Sequence, residues 1–451
     1  MYDLGIIGAG PGGYVAAERA GQAGLNTVLF EKDALGGVCL NTGCIPTKTL
    51  LNSVKHLSHA RDAKAFGVLA ENVGFDFNAI MKRKRKIVKK LVAGVAAKMK
   101  HNNVEVVQGA ATIQERGEKG IVIECGGETY EFKNVIIATG SLASIPPIEG
   151  LDREHVLTNV EALDLKELPE KMVIVGGGVI GLEFTDIFST LGVDVTIVEM
   201  MDEVMPSMDS DLAAMLRETF EKRGVDFHLG ATVTKLEGKT VHFEKAGKTE
   251  SIAADEVLVS VGRVPNFKGC GLENIGVEVE NGTIKIDEKC RTNVPGVYAI
   301  GDVTGGALLA HTASRAGEVV VNNLVGREDR FRGDAIPWVE YTHPEVAGVG
   351  LTEDEANAEG REVEIRKLPM AYAGRFVAET NREDGFCKII ADPETKQVLG
   401  VHMIGGVCSE MIYGAAMALE MEVTLDELEE VIFPHPTVSE IIRETAFSLR
   451  S

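Results

Sequence analysis

The chain has 451 residues, with 68 acidic and 46 basic side chains, and a formal net charge of −22. This acidic balance argues against nucleic acid as a partner, because a phosphate backbone needs a clustered basic face. The most apolar stretch, MVIVGGGVIGLEF, is too short for a membrane span and contains Glu183, so no membrane partner is expected. At about 150 residues per domain, the length predicts about three domains.

The N-terminal residues read as the start of a folded domain. YDLGIIGAG begins a strand almost at once, without the basic region and long apolar core of a secretion signal. Seven cysteines, mostly without regular spacing, suit a reducing compartment better than a disulfide scaffold. We therefore expect a cytoplasmic protein.

A glycine-rich turn follows the first predicted strand. Gly8, Gly10 and Gly13 form G-x-G-x-x-G between a strand and a helix, a pattern that allows a tight turn, close approach of a pyrophosphate and close helix packing. Glu31 ends the next strand, 18 residues past Gly13, where a carboxylate accepts hydrogen bonds from ribose hydroxyls. This stretch predicts a dinucleotide-binding βαβ unit.

The cysteines of GGVCLNTGCIPTK lie five positions apart, at Cys39 and Cys44. A zinc site would need a second ligand pair, which is missing at such spacing, so no metal is expected. A structural disulfide would close only a tiny loop. A redox pair explains more, since a helix begins near Pro46 and lowers the pKa of a nearby thiol. Lys48, one helical turn past Cys44, is either a solvated lysine or a cation beside a flavin or thiolate.

Downstream, residues 47–100 are predicted to be helical, and strand-rich sequence follows as far as NVIIATGS. The strand–turn–helix pattern recurs 168 positions after the first, with Gly176, Gly178, Gly181 and Glu199. An acid at position 199 prefers a free 2′-hydroxyl, and the following MMDEVMP lacks arginine and lysine, so this site is predicted to bind NAD rather than NADP. Nicotinamide delivers hydride, so the other dinucleotide is most simply a flavin.

The C-terminal third differs from the rest of the chain in its predicted elements. GFCKIIADPETKQVLGVHMIG predicts a hairpin around an Asp-Pro turn, and helices are predicted at about 408–421 and 425–432. His435 lies between two prolines, and Glu440 follows five residues later, where it could orient the imidazole and raise its basicity. A lone histidine is usually structural or solvated, so this pattern alone leaves a catalytic role open.

GGVCLNTGCIPTK resembles the redox motif of the class I flavoprotein disulfide reductases and, among them, the dihydrolipoamide dehydrogenases most closely. The resemblance covers essentially the whole chain. It includes the segments VIIATGS (135–141), VGRVPN (261–266), GVYAIGDV (296–303), LLAHTA (308–313), YTHPEVAGVG (341–350) and PHPTVSE (434–440).

The resemblance implies an α/β fold with two Rossmann-like domains, which bind FAD and NAD, and a C-terminal α+β dimerisation domain. The predicted divisions are an FAD-binding domain at 1–145, an NAD-binding domain at 146–265, a second FAD-binding part at 266–335 and an interface domain at 336–451.

The resemblance also assigns roles. It places Asp302 on the ribityl chain of FAD, the backbone near Ala310 against the flavin and the backbone of Ala111 against the adenine. Glu183 is placed at the boundary between nicotinamide and flavin, paired with Lys48. The remaining implied cofactor contacts are Thr139, Gly140, Val233, Gly262 and Arg263. The implied catalytic residues are Cys39, Cys44, His435, Glu440, Lys48 and Glu183.

The implied activity is oxidation of protein-bound dihydrolipoamide through a Cys39–Cys44 disulfide and FAD, with reduction of NAD. The implied partners are a second copy, whose disulfide the His435–Glu440 pair serves, and a lipoyl-bearing protein of a 2-oxo-acid dehydrogenase complex or of the glycine cleavage system. The alternatives are an NAD(P)H-dependent reductase of another disulfide and a non-catalytic redox sensor.

The basic run KRKRK at 82–86 continues with Lys89 and Lys90 on a predicted helix. Such a run is ordinarily a solvated helix face. The alternative is a docking surface for an acidic lipoyl-bearing protein.

Overall fold

A computed structural model describes residues 1–152, 154–381 and 383–448. The chain forms two compact units, and each is assembled from three segments. The first unit comprises Met1–Thr49, Asn78–Ser144 and Gly262–Arg332. The second comprises Leu50–Phe77, Ile145–Val261 and the chain from Gly333 onward.

The N-terminal third supplies most of the first unit. Its elements are β1 (Tyr2–Ile7), α1 (Pro11–Gln22), β2 (Thr27–Glu31), α2 (Gly37–Asn41), α3 (Cys44–Asp62), a 3₁₀ turn (Ala63–Phe66), α4 (Phe77–His101), β3 (Glu105–Gln108), β4 (Ala111–Arg116), β5 (Ile121–Cys125), β6 (Glu128–Ile137) and β7 (Ser141–Ala143). The sheet order is β3-β2-β1-β6-β5-β4. β1, β2, β3 and the end of β6 run parallel, whereas β4, β5 and the start of β6 form an antiparallel meander.

The middle of the chain builds a second nucleotide-binding fold inside the second unit. Its elements are α5 (Asn159–Ala162), β8 (Lys171–Val175), α6 (Val179–Thr190), β9 (Asp194–Val198), α7 (Ser210–Lys222), β10 (Asp226–His228), β11 (Ala231–Glu237), β12 (Thr240–Lys245), β13 (Lys248–Ala253) and β14 (Glu256–Val259). β10-β9-β8-β14 is a parallel sheet and β11-β12-β13 an antiparallel one. The predicted repeat of the βαβ unit is confirmed.

The chain then returns to the first unit. The elements are β15 (Arg263–Pro265), β16 (Val279–Glu280), β17 (Thr283–Ile284), β18 (Val297–Ala299), a 3₁₀ turn (Gly301–Thr304) and α8 (Ala310–Leu324). β18 adds to β6 in parallel, and β15 pairs with β7. Helix α8 packs closely on α1. The absence of a side chain at Gly317 allows this contact, since a Cβ there would lie 2.8 Å from the carbonyl oxygen of Gly12.

The C-terminal segment forms an α+β domain within the second unit. Its elements are β19 (Trp338–Glu340), β20 (Val346–Gly350), α9 (Glu353–Glu359), β21 (Glu364–Pro369), a 3₁₀ turn (Met370–Tyr372), α10 (Gly374–Glu379), β22 (Phe386–Ala391), β23 (Val398–Ile404), α11 (Cys408–Glu420), α12 (Leu425–Glu430) and α13 (Glu440–Phe447). The antiparallel sheet has the order β19-β20-β23-β22-β21. The predicted hairpin and both predicted helices are confirmed.

The predicted α/β class, with two dinucleotide-binding domains and a C-terminal α+β domain, is confirmed, while the four residue ranges drawn for the domains stay predictions. One element prediction needs correction. The helical region 47–100 is two helices, α3 and α4. Helix α3 ends at Asp62, and the 3₁₀ turn after it ends at Gly67, which has a left-handed φ of 75°. Within the described ranges, no helix is both long and apolar enough to cross a membrane.

Candidate active site

The first glycine turn has the geometry of an anion cradle. Gly8 has φ of 102° and lies so close to the strand ending at Ile137 that a side chain would meet the carbonyl oxygen of Ala138 at 2.4 Å. A side chain at Gly13 would lie 1.9 Å from the Gly8 oxygen, whereas one at Gly10 would have no atom within 4 Å. Open space at Gly10, directly before the N-terminus of α1, is where a pyrophosphate fits.

Glu31 is held at the end of β2 by two backbone donors. The Ala9 N–H donates to its Oε2 at 2.8 Å, and the Asp33 N–H donates to Oε1 at 2.8 Å. Glu31 is only 8% exposed, and each oxygen keeps further acceptor capacity. The carboxylate is therefore fixed beside the turn and still able to accept hydroxyl donors from a ribose.

The second glycine turn repeats this arrangement. Gly176 has φ of 105°, and a side chain at Gly181 would meet the Gly176 oxygen at 2.2 Å, while one at Gly178 would have no atom within 4 Å. The Gly177 N–H donates to Glu199 Oε2 at 2.6 Å, and the Met201 N–H donates to Oε1 at 2.8 Å. The residues present fit a dinucleotide at each of the two turns.

The nearest arginine in the segment after the second turn is already engaged. Arg217 Nε donates to Glu203 at 3.0 Å, and its Nη1 donates to Glu221 at 2.9 Å. A 2′-phosphate would have to compete with these carboxylates for the guanidinium. The geometry therefore supports NAD rather than NADP at the second turn.

The cysteine motif lies against the first turn. The Gly36 N–H donates to the Ala9 oxygen at 2.8 Å, and a side chain at Gly37, where φ is 57°, would lie 2.7 Å from Gly10 Cα. Cys39 is in the short helix α2, and Cys44 is the first residue of α3. Gly36 and Gly37 thus let the backbone bring the two cysteines next to the cradle.

The thiol of Cys39 lies within hydrogen-bonding distance of Cys44. A hydrogen bond with Cys44, then burial, then the negative charge of Cys44 raise the pKa of Cys39, while the Lys48 ammonium lowers it. The sulfur of Cys44 and burial therefore dominate the pKa of Cys39, and the lowered pKa expected for a thiol near the helix N-terminus stays a prediction.

Two groups near this pair respond to its charge. Burial raises the pKa of Tyr14, and the charges of Cys39 and Cys44 raise it further. Burial lowers the pKa of the Arg263 guanidinium, and the charges of Asp302 and Cys44 oppose that shift. Arg263 is thus a partly buried cation near Cys44, and Tyr14 is a neighbour that the sequence pattern did not single out.

Asp302 is fixed by a network that the sequence reasoning missed in part. The Ser141 hydroxyl donates to Asp302 Oδ2, while Arg263 Nε donates to Ser141 Oγ at 2.7 Å and Nη2 donates to the Ser141 oxygen at 2.8 Å. The Asn266 N–H donates to the Gly140 oxygen at 2.9 Å. Ser141 lies 161 residues from Asp302 along the chain, so no local pattern could reveal their contact.

The other predicted site residues lie on several elements. In the first unit, Ala111 begins β4, Thr139 and Gly140 form the turn between β6 and β7, Gly262 precedes β15 with φ of 108°, and Ala310 is the first residue of α8. In the second unit, Val233 is buried in β11, and Glu183 is 3% exposed in α6. Their contacts with cofactors stay predictions.

The C-terminal histidine has a carboxylate partner. Glu440 Oε1 lies 2.9 Å from His435 Nδ1, and the Thr437 N–H donates to Oε2 at 2.9 Å. The Thr437 donor and then His435 hold the pKa of Glu440 below its usual value. The His435 side chain is 78% exposed, so its Nε2 face is open to another molecule.

Sequence comparison identifies the family. The pyridine nucleotide-disulphide oxidoreductase profile matches residues 2–317, and the profile of the dimerisation domain of the same family matches residues 336–446. The chain belongs to this family. Two bacterial relatives cover nearly its whole length. A dihydrolipoyl dehydrogenase of Bacillus subtilis is 42% identical over 99% of this chain and 98% of its own. One of Thermus scotoductus is 42% identical over 99% and 97%.

Solved structures agree with this assignment. LpdA from Mycobacterium tuberculosis superimposes with a TM-score of 0.90 at 29% identity, covering 99% of each chain. The HOCl-induced flavoprotein disulfide reductase RclA from Escherichia coli superimposes with a TM-score of 0.86 at 27% identity, covering 98% of this chain and 99% of its own. The chain is therefore an oxidoreductase of the disulphide class with a dimerisation domain.

Proposed function

We propose that this oxidoreductase oxidises protein-bound dihydrolipoamide to lipoamide and reduces NAD. One observation carries the proposal: the cysteine loop contacts the first dinucleotide turn, with the Gly36 N–H bonded to the Ala9 oxygen at 2.8 Å. A redox thiol pair beside a nucleotide cradle can exchange electrons with the bound cofactor. The full-length relatives named dihydrolipoyl dehydrogenase support the choice of substrate.

Each cofactor has a set of holding residues. FAD, when bound, supplies a two-electron acceptor for the dithiol and a hydride donor to NAD. We assign FAD to Gly8, Gly10, Gly13, Glu31, Lys48, Ala111, Thr139, Gly140, Asp302 and Ala310. We assign NAD to Gly176, Gly178, Gly181, Glu183, Glu199, Val233, Gly262 and Arg263.

The chain's own cysteines perform the thiol–disulfide exchange. In the oxidised enzyme Cys39 and Cys44 are joined, and one thiolate of the reduced lipoyl group attacks Cys39 Sγ. A substrate–Cys39 bond forms, the Cys39–Cys44 bond breaks, and Cys44 leaves as a thiolate. The second substrate thiolate then closes the lipoyl ring and releases Cys39, which takes up a proton. The raised pKa of Cys39 is consistent with this final proton position.

A base is needed to deprotonate the substrate thiols. His435, oriented by Glu440 at 2.9 Å, is suited to that role through its open Nε2. Because the dyad is exposed on the domain that matches the dimerisation profile, we assign it to the disulfide of a second copy in a homodimer. The lipoyl group then comes from a separate protein in the cytoplasm, of a 2-oxo-acid dehydrogenase complex or the glycine cleavage system.

Activity assays with different pairs of substrate and nicotinamide cofactor test the proposal. Dihydrolipoamide with NAD should give rapid NADH formation, with kcat/KM at least about tenfold higher than with NADP. Faster reduction of glutathione disulfide by NADPH would favour a reductase of another disulfide instead. Absence of turnover with every thiol and disulfide pair would favour a redox sensor.

A further inference from the structure

Helix α4 has an unusual charge composition. Its 25 residues include nine lysines and arginines and no aspartate or glutamate, in a chain whose net charge is −22. Side chains three and four positions apart are neighbours on a helix, and like charges at that spacing destabilise it. The like charges at this spacing therefore do not stabilise the helix.

Four lysines form one exposed surface, which we call the basic stripe: Lys82, Lys86, Lys89 and Lys90. Lys86 is four positions from Lys82, three from Lys89 and four from Lys90, so each is next to at least one like charge. Among the described residues, the four lysines form neither an ion pair nor a side-chain hydrogen bond. By contrast, Lys98 near the end of the same helix pairs with Glu18 at 3.1 Å.

The opposite face of α4 is committed to the core of the first unit. Met81, Val95 and Met99 are at most 6% exposed, and the last two belong to the buried cluster beneath the sheet. A basic helix that binds a membrane inserts its apolar face among the lipids. On α4 these apolar side chains are used in the core, so we attribute the action of the stripe to its charge.

A residue next to the basic stripe contacts α3, the helix that begins at Cys44. Arg83 Nη1, adjacent to Lys82, donates to the Thr49 oxygen of α3 at 3.0 Å. Thr49 is five residues past Cys44 on that helix, which corresponds to about 7.5 Å along its axis. A domain seated on the stripe is therefore close to the helix that begins at Cys44.

We propose that the basic stripe docks an acidic protein domain that bears the lipoyl group. This inference rests on the dithiol oxidation proposed above. The rest of the chain is strongly acidic and repels such a domain, whereas the stripe attracts it, so encounters are steered to one place. The attraction acts on the carrier protein and leaves the chemistry of the dithiol unchanged.

Reversing the charge of the basic stripe tests whether the stripe acts on the carrier protein or on the dithiol itself. In the variant K82E/K86E/K89E/K90E, kcat/KM for a reduced lipoyl domain of net negative charge should fall about 10-fold to 100-fold at low ionic strength. For free dihydrolipoamide it should stay within about twofold of the unchanged enzyme, since steering by the stripe does not act on an uncharged dithiol. Added salt should lower the lipoyl-domain rate of the unchanged enzyme and have little effect on that of the variant.

Two controls make the result specific. The variant K64E/K119E/K248E/K268E changes net charge equally at four scattered exposed lysines and should retain the preference for the lipoyl domain. The variant K82R/K86R/K89R/K90R keeps the charge and should behave like the unchanged enzyme.

Three results would overturn the docking proposal. The first is an equal loss for the lipoyl domain and free dihydrolipoamide in the stripe variant, and the second is an equal effect of the scattered variant. The third is stripe-dependent binding to phosphatidylglycerol vesicles with an unchanged lipoyl-domain rate. Lack of turnover of free dihydrolipoamide by the unchanged enzyme would instead refute the proposed function.

Discussion

The two glycine turns, separated by 168 positions, are built alike and used differently. In both, a backbone N–H after the first fingerprint glycine donates to the acid at the end of the second strand, at 2.8 Å to Glu31 and 2.6 Å to Glu199. In both, the segment after the acid returns to the turn. Gly36 donates to the Ala9 oxygen at 2.8 Å, and Met205 donates to the Gly177 oxygen at 3.1 Å.

The difference lies in what the returning segment carries. In the first copy it is Gly36-Gly37 followed by the cysteine pair, so the backbone approaches Gly10 and delivers two thiols. In the second copy Val204 and Met205 are buried there, and no redox group follows. The two turns thus share one backbone arrangement and differ in the loop that packs on them.

The largest effect should come from removing the group that only the first copy has. Cys39→Ser and Cys44→Ser should each lower dihydrolipoamide oxidation by about 10⁴-fold or more, because the exchange needs both sulfurs. FAD content and NADH oxidation by an artificial acceptor should persist, since neither cradle is touched. Retention of dihydrolipoamide turnover in either variant would separate the cysteines from the reaction.

Removal of the proposed base should have the next largest effect. This base, His435, belongs to neither of the two glycine-turn segments. His435→Gln should lower kcat by about 100-fold to 1000-fold, because the substrate thiols lose their base. Steady-state kinetics provide the measurement, with His56→Gln, at an exposed histidine of the second unit, as the matched control. Full kcat in His435→Gln would remove the dyad from the mechanism.

Substitution of Glu31 and of Glu199 should each weaken the binding of one cofactor only. Glu31→Gln should weaken FAD retention by about 10-fold to 100-fold and leave the KM for NAD nearly unchanged in FAD-loaded enzyme. Glu199→Gln should raise the KM for NAD by a similar factor and leave flavin content intact. Loss of flavin in both variants would show that the copies do not act independently.

The smallest effect tests the packing of the turns. Gly181→Ala places a side chain 2.2 Å from the Gly176 oxygen and should cost about 1–3 kcal/mol of unfolding free energy. Gly178→Ala meets no atom within 4 Å and should leave the urea midpoint unchanged while weakening NAD binding. Equal midpoints for both variants would contradict the close packing at Gly181.

The glycine turns could be predicted because their spacing determines a backbone path, and the bonds from Ala9 to Glu31 and from Gly177 to Glu199 follow from that path. The hairpin of β22 and β23 could be predicted for the same local reason. The clamp of Ser141 on Asp302 could not, because it joins residues 161 positions apart.

The thiol chemistry was the least predictable part of the site. A helix N-terminus lowers the pKa of a thiol, and the sequence shows only that feature. The hydrogen bond with Cys44 and burial, which raise the pKa of Cys39, depend on the three-dimensional distance between two side chains and on their cover. Similarly, Asn41 donates to the oxygens of Leu35 and Gly37 at 3.1 and 2.9 Å and braces the loop, although nothing in its spacing marks it.

We expect the Cys39–Cys44 pair beside the first glycine turn to take electrons from a dithiol and pass them to bound flavin. Anaerobic addition of dihydrolipoamide to the purified protein, followed by visible spectroscopy, tests it most directly. A long-wavelength thiolate-to-flavin charge-transfer band should appear in the unchanged protein and be absent in Cys44→Ser. A protein without flavin absorbance, or a band that persists in Cys44→Ser, would contradict the claim.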